Sequence, residues 1–176
     1  MRPERVIRNR RVEIDDWRML GVGDGDVGPE LPAGAVAVPL AVWLARREEL
    51  LARRDPVGVW LKPDDDPAAL APDLARLPLV AVHFPKFTDG RGYSIASLLR
   101  RRYGYAGELR AFGDVGRDQL FYLSRVGFDA FRLADHRDPE AALASFGDFS
   151  QRYQASVDEP LPLFRRRAAS AETARG

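Results

Sequence analysis

Three observations predict an α/β fold built on a parallel sheet. Short apolar runs at 35–38, 57–61, 79–84, 109–112 and 128–133 recur at spacings of about 20–30 residues, and a stretch of helical periodicity follows each of them. Strands alternating with helices imply parallel pairing through right-handed crossovers. The chain, 176 residues with 45% hydrophobic side chains, has material for one sizeable core, yet falls short of the roughly 250 residues of a complete eight-fold barrel.

Five repeated β-α units admit two layouts: sequential strands curling into a partial (β/α) barrel, or a doubly wound sheet with helices on both faces. The doubly wound form calls for a glycine-rich phosphate loop after its first strand. Here that position reads Pro39-Leu40-Ala41-Val42, with no glycine and few free N–H groups, so the partial barrel is the expectation.

Element by element, Arg5–Arg8 and Arg11–Ile14 alternate around Asn9-Arg10, which predicts a small N-terminal hairpin that Asp15–Leu20 extends. The glycine-rich stretch Gly21–Pro29 reads as a flexible loop, because no strand–loop–helix context surrounds it. After the first apolar run, Pro39 suits a first helical turn, and Trp43, Leu44, Leu50 and Leu51 recur at helical spacing until Asp55-Pro56. The run Val57–Leu61 leads into Asp64-Asp65-Asp66, a solvated loop, and a short helix over 67–76. Leu79–Phe84 is the most strand-like run, and its helix carries Ile95, Leu98, Leu99 and Tyr103, with Arg100-Arg101-Arg102 as a wet face. Asp114 is placed to cap the helix that buries Leu120, Leu123 and Val126, and Gly127 to end it. Asp138-Pro139 opens the last helix, with Leu143, Phe146, Phe149 and Tyr153 inward. The expected organisation is a hairpin and loop over 1–34, one α/β domain over 35–154, and an extended arm with a disordered end over 155–176. Within the arm, Leu161, Leu163 and Phe164 between prolines are expected to dock on this chain or on a second copy, giving a homo-oligomer.

Composition removes whole classes of function. There are no cysteines, so disulfides, cysteine-held iron–sulfur clusters and thiol nucleophiles are excluded. Two histidines and no spaced carboxylate loop offer no metal site. No nucleotide-binding motif is visible, which leaves the cofactor unassigned. Twenty-seven basic against 26 acidic residues give a net charge of +1, which carries no argument for nucleic acid or for a membrane surface. Neither a signal segment nor an apolar run of membrane-spanning length is present, so the expected location is the cytoplasm.

In either layout the ligand site lies at the carboxyl ends of the parallel strands. Those ends carry Lys62 and Asp64–Asp66, then His83 and Lys86–Arg91, then Asp114 and Arg117, then Arg132, Asp135 and His136. Lys86, Thr88, Asp89 and Arg91, at a glycine-flanked helix start, suit a small oxyanion, with Arg117 and Arg132 as further cations. The alternative is a capped loop in which Asp89 simply pairs with Arg91. His83 and Asp114 are the candidate catalytic acid–base groups. Arg132 on a buried strand needs an acid partner or a place at the cleft.

The strings HFPKFTDGRGYS at 83–94 and GELRAFGDVGRDQLFYLSRVGFDAFRL at 107–133, with LPLFRRR in the tail, resemble a proteobacterial domain-of-unknown-function family. The genes of that family commonly lie beside the gene for the sulfite/nitrite reductase haemoprotein, and its members are often labelled probable oxidoreductases of sulfite reduction. The resemblance implies a place in sulfur assimilation and cysteine biosynthesis, with the haemoprotein as partner; it brings no catalytic residue set. Joined to the missing redox ligands, it leads to the expectation of an accessory protein of assimilatory sulfite reduction carrying no redox group of its own. The alternative is an enzyme acting on a small anion at the strand ends.

Overall fold

The computed structural model describes residues 4–23, 26–86 and 88–147. Eight strands form one curled sheet, a half-barrel, in the order β2-β1-β8-β7-β6-β5-β4-β3. They are β1 (Arg5–Arg8), β2 (Arg11–Ile14), β3 (Arg18–Met19), β4 (Val36–Pro39), β5 (Val57–Leu61), β6 (Leu79–Phe84), β7 (Glu108–Gly113) and β8 (Ala130–Arg132). Strands β3 to β8 pair in parallel. The sheet as a whole is mixed, which corrects the expectation of a purely parallel one: β1 pairs antiparallel with both β2 and β8. The first of these pairings follows from the hairpin turn, where Asn9 and Arg10 both take positive φ (50° and 61°). That geometry matches the strand twist and reverses the chain at once.

The helical segments are α1 (Leu40–Ala45), α2 (Arg47–Leu51), α3 (Arg91–Ser97) running into a π-helical turn at Leu98–Arg102, α4 (Leu120–Arg125) and α5 (Pro139–Leu143). The β-α rhythm is not uniform: β5 and β6 are joined by two 3-10 turns, Pro67–Leu70 and Leu74–Arg76, in place of an α-helix. Sequential order with right-handed crossovers puts the connections between β4 and β8 on one face, and the core matches this. Val36 and Val38, Val59 and Leu61, Val80, Val82 and Phe84, and Leu109 and Ala111 pack with Trp43, Leu70, Ile95, Leu99, Leu120 and Leu123. Leu44 and Leu98, expected on buried helix faces, are exposed, because the chain breaks at Arg46 and widens into a π-turn after Ser97. Arg100 is no wet residue: its guanidinium donates to the carbonyls of Tyr105, Gly107 and Gly127 and meets Asp129, tying the π-turn to the loops around β7.

The opposite, concave face carries a second cluster of Ala37, Trp60, Leu79, Ala81 and Phe112, covered by Trp17 and Met19. The segment after β2 does not extend the hairpin. It crosses the concave face as a strap and reaches the far edge, where β3 pairs with β4 and Leu20 N–H donates to Ala37 O at 2.9 Å. Two features seat it. Gly58 leaves room for Trp17: a Cβ there would lie 3.1 Å from the Trp17 ring and 2.9 Å from Leu79. The Asp15 side chain, fully buried, accepts from Arg110 Nη1 at 2.8 and 2.9 Å, and Arg110 is itself fully buried. Glu108 shares Arg110 and in turn pairs with Arg8 at 2.7 Å. An open half-barrel thus gets a filled interior without a second half. Among the described residues no helix is long and apolar enough to cross a membrane. Phe149, Tyr153 and the whole arm at 155–176, including the docking segment, lie outside the described residues.

Candidate functional site

Strand alternation and register determine what faces the mouth of the half-barrel. In the lower row Pro39, Trp60, Ala81, Arg110 and Ala130 stand side by side, from β4 through β8. Two residues further along each strand, His83 pairs with Phe112 and Phe112 with Arg132. Lys62 follows Leu61, whose partner is Val82, so it falls beside His83 in the same upper row. Lys62, His83, Phe112 and Arg132 therefore form one transverse row at the carboxyl ends of β5 to β8, on the concave face.

His83 is half-buried. Its ring lies 4.9 Å from Phe112 in a tilted stack and 5.8 Å, edge-on, from Trp60. Burial and then the Lys62 charge push its pKa below the ordinary 6.5, so the imidazole is neutral at pH 7. Trp60 is fixed by donating Nε1–H to Leu20 O at 2.8 Å, which also anchors the end of the strap. Arg132 Nη2 meets Glu4 Oε1 at 2.5 Å, satisfying the expected acid partner, and the residue also stands at the cleft. Beside the row opens a cavity of about 420 Å³, walled by Met19 and Val22 from the strap side, Phe112 and Gly113 from β7, and Arg132 to His136 from β8 and the loop after it. Gly113 has φ +102°. A Cβ at that position would lie 2.4 Å from Phe84 O and 2.9 Å from His83 Cδ2, so glycine permits the chain to turn close under the histidine.

The other sequence candidates go elsewhere. Arg91 is held by Asp89, at 2.7 Å, and by Asp64. Asp89 also accepts from the Arg91 backbone N–H at 3.1 Å, and the Arg91 hydrogen bonds lower its pKa to about 2. Asp89 and Arg91 thus pair with each other, and the guanidinium already meets two carboxylates, while α3 starts from Gly90 with no side-chain cap. Lys86, Thr88 and Arg117 are exposed, apart from the row. Asp114 is not the helix cap. Gly116 takes that place ahead of a 3-10 turn at Arg117–Gln119, and its N–H donates to Gln119 Oε1 at 2.9 Å. Asp114 N–H donates to Phe84 O at 2.7 Å, and its carboxylate lies 3.5 Å from Arg137 Nη2. Of the sequence-proposed residues, the structure brings His83 and Arg132 together at the mouth. Lys62, Phe112, Asp135 and His136 join them, along with Met19 and Val22 of the strap. Lys62, Asp135 and His136 were named among the strand-end residues; the signal for Phe112 was the period-2 alternation counted from the strand end, and for Met19 and Val22 there was none, since the strap's path is a tertiary fact. Among the described residues no cluster of three or more His, Asp or Glu is placed to hold a metal ion.

Compared with known proteins, the chain matches no curated protein and no solved structure. A family model matches residues 58–164, from β5 through the mouth and its last β-strand into the tail. The chain belongs to that family, described as bacterial protein of unknown function (DUF934).

Proposed function

We propose that the mouth of the half-barrel binds a small anionic molecule, and that the protein serves assimilatory sulfite reduction as an accessory of the reductase haemoprotein, carrying no redox group of its own. The observation that carries the binding half is the row Lys62–His83–Phe112–Arg132 standing beside a cavity of about 420 Å³, a size within the ordinary range for small-ligand sites. Arg132 is pre-positioned by Glu4, so less side-chain freedom is lost when a ligand arrives. The neutral His83 ring offers one donor and one acceptor, and the strap shields the floor from water. Support for the pathway half comes from the strings 83–94 and 107–133 and from the absence of cysteine in the sequence.

A second reading, an enzyme working on the same anion, is favoured by His83: a neutral imidazole at the mouth is able to take a proton. Deleting the gene tests the pathway. The expected result is a growth defect on sulfate or sulfite that cysteine rescues; equal growth on all three removes the sulfite role. Thermal melting of the purified protein tests binding, because a ligand selective for the folded state raises the melting temperature by mass action. Sulfite, sulfate and phosphate are the first probes, and His83→Gln separates the two readings. Loss of turnover with binding kept identifies an enzyme; loss of binding alone identifies a carrier or accessory.

A further inference from the structure

The walls of the mouth cavity are sharply divided in chemistry. On one side are Met19, Val22 and the Phe112 ring. On the other are Arg132 and Asp135, charges of opposite sign that make no ion pair with each other among the described residues. Among the described residues Arg132 donates to Glu4 through Nη2 and to no acceptor through Nε or Nη1, which leaves those hydrogens of a planar five-donor group for a further acceptor. Asp135 is exposed and takes no hydrogen bond or ion pair with any described residue. The volume also argues against an inorganic ion as the whole ligand. At about 30 Å³ for each water's share of liquid, a four- or five-atom oxyanion fills roughly two water volumes, a small part of the 420 Å³ available.

We infer that the cavity takes an amphipathic zwitterion of the α-amino-acid class, its carboxylate on Arg132, its ammonium on Asp135 and its apolar side chain against Met19, Val22 and Phe112. This rests on the mouth being the anion site proposed above and adds two requirements, a cationic group and an apolar body. A carboxylate suits the guanidinium because the two planar groups match through parallel hydrogen bonds. An ammonium suits Asp135 because its three donors meet an acceptor-only group. An apolar body suits the strap side because covering those side chains removes their surface from water.

The test is isothermal titration of the full chain with five probes: L-leucine, its deaminated analogue 4-methylpentanoate, its decarboxylated analogue 3-methylbutylamine, sodium sulfite and sodium phosphate. Binding of L-leucine, with each truncated analogue weaker by about tenfold or more, is the expected result, since a charge-assisted hydrogen bond contributes roughly a factor of ten to a hundred. Arg132→Gln and Asp135→Asn should each weaken L-leucine by a similar factor. Arg132→Gln should leave 3-methylbutylamine unaffected, and Asp135→Asn should leave 4-methylpentanoate unaffected. Both variants keep side chains of near-native size, and unfolding midpoints equal to wild type confirm that they fold. Binding of sulfite or phosphate without L-leucine overturns this inference and leaves the anion reading standing. Equal binding of L-leucine and 4-methylpentanoate overturns the zwitterion. No binding by any of the five overturns both.

Discussion

Arg110→Met is expected to destabilise the protein by about 3–5 kcal/mol, the usual cost of leaving buried charge uncompensated. The side chains of Arg110 and Asp15 are both fully buried and meet at 2.8 Å; Glu108 also depends on Arg110. Removing the guanidinium leaves Asp15 without its cation under the strap, so the loss should concentrate there. Trp17 and Met19 would lift from the concave face, and the apolar floor of Ala37, Trp60, Leu79 and Ala81 would meet water. Urea unfolding measures the total, and amide exchange at Arg18 and Leu20, which donate to Ala35 and Ala37, locates it. The double variant Arg110→Met/Asp15→Asn should recover a good part of the loss, because no charge is then stranded. An Arg110→Met protein as stable as wild type would mean that the pair does not hold the strap.

The second large effect is expected at Gly113. An alanine there would need φ near +102° and would place its Cβ 2.4 Å from Phe84 O. That is backbone against backbone, with no flexible side chain to yield, so Gly113→Ala should cost about 2–4 kcal/mol. The strain also falls on the site, since the same Cβ meets His83 Cδ2 at 2.9 Å. The histidine ring should shift off Phe112, and ligand binding at the mouth should weaken even where the variant is studied at low temperature and fully folded. Unchanged stability and unchanged binding would show that the turn after β7 relaxes freely.

Local signals foretold the half-barrel and its strand ends. Five apolar runs bounded by turn residues gave β4 to β8 within a residue or two of their observed limits, and Asn9-Arg10 gave the hairpin. The mixed pairing was not legible, because nothing local in Ile7 says that it will lie opposite Phe131. Nor was the strap: Asp15 and Arg110 are 95 residues apart in sequence, and a lone Asp beside Trp17 looks like any polar turn. At the site, His83 and Arg132 stood out as polar side chains on apolar strands, and they do face the mouth. The Lys86–Arg91 segment drew attention because its charges are adjacent in sequence. That adjacency is also why Asp89 and Arg91 satisfy each other. Lys62 was legible as a strand-end residue, whereas Phe112 became visible only through register, which puts side chains from different strands into one row.

The claim that the upper row of the half-barrel is the ligand site is tested most directly by amide chemical-shift mapping, with uniformly labelled protein titrated with L-leucine and with sulfite in turn. The shifted residues are expected to cluster at Leu20–Val22, Lys62, His83, Phe112–Gly113 and Arg132–His136, with Lys86–Arg91 and Arg117 unmoved. Shifts centred on Lys86–Arg91, or a binding isotherm with no shifts around the mouth, would contradict it.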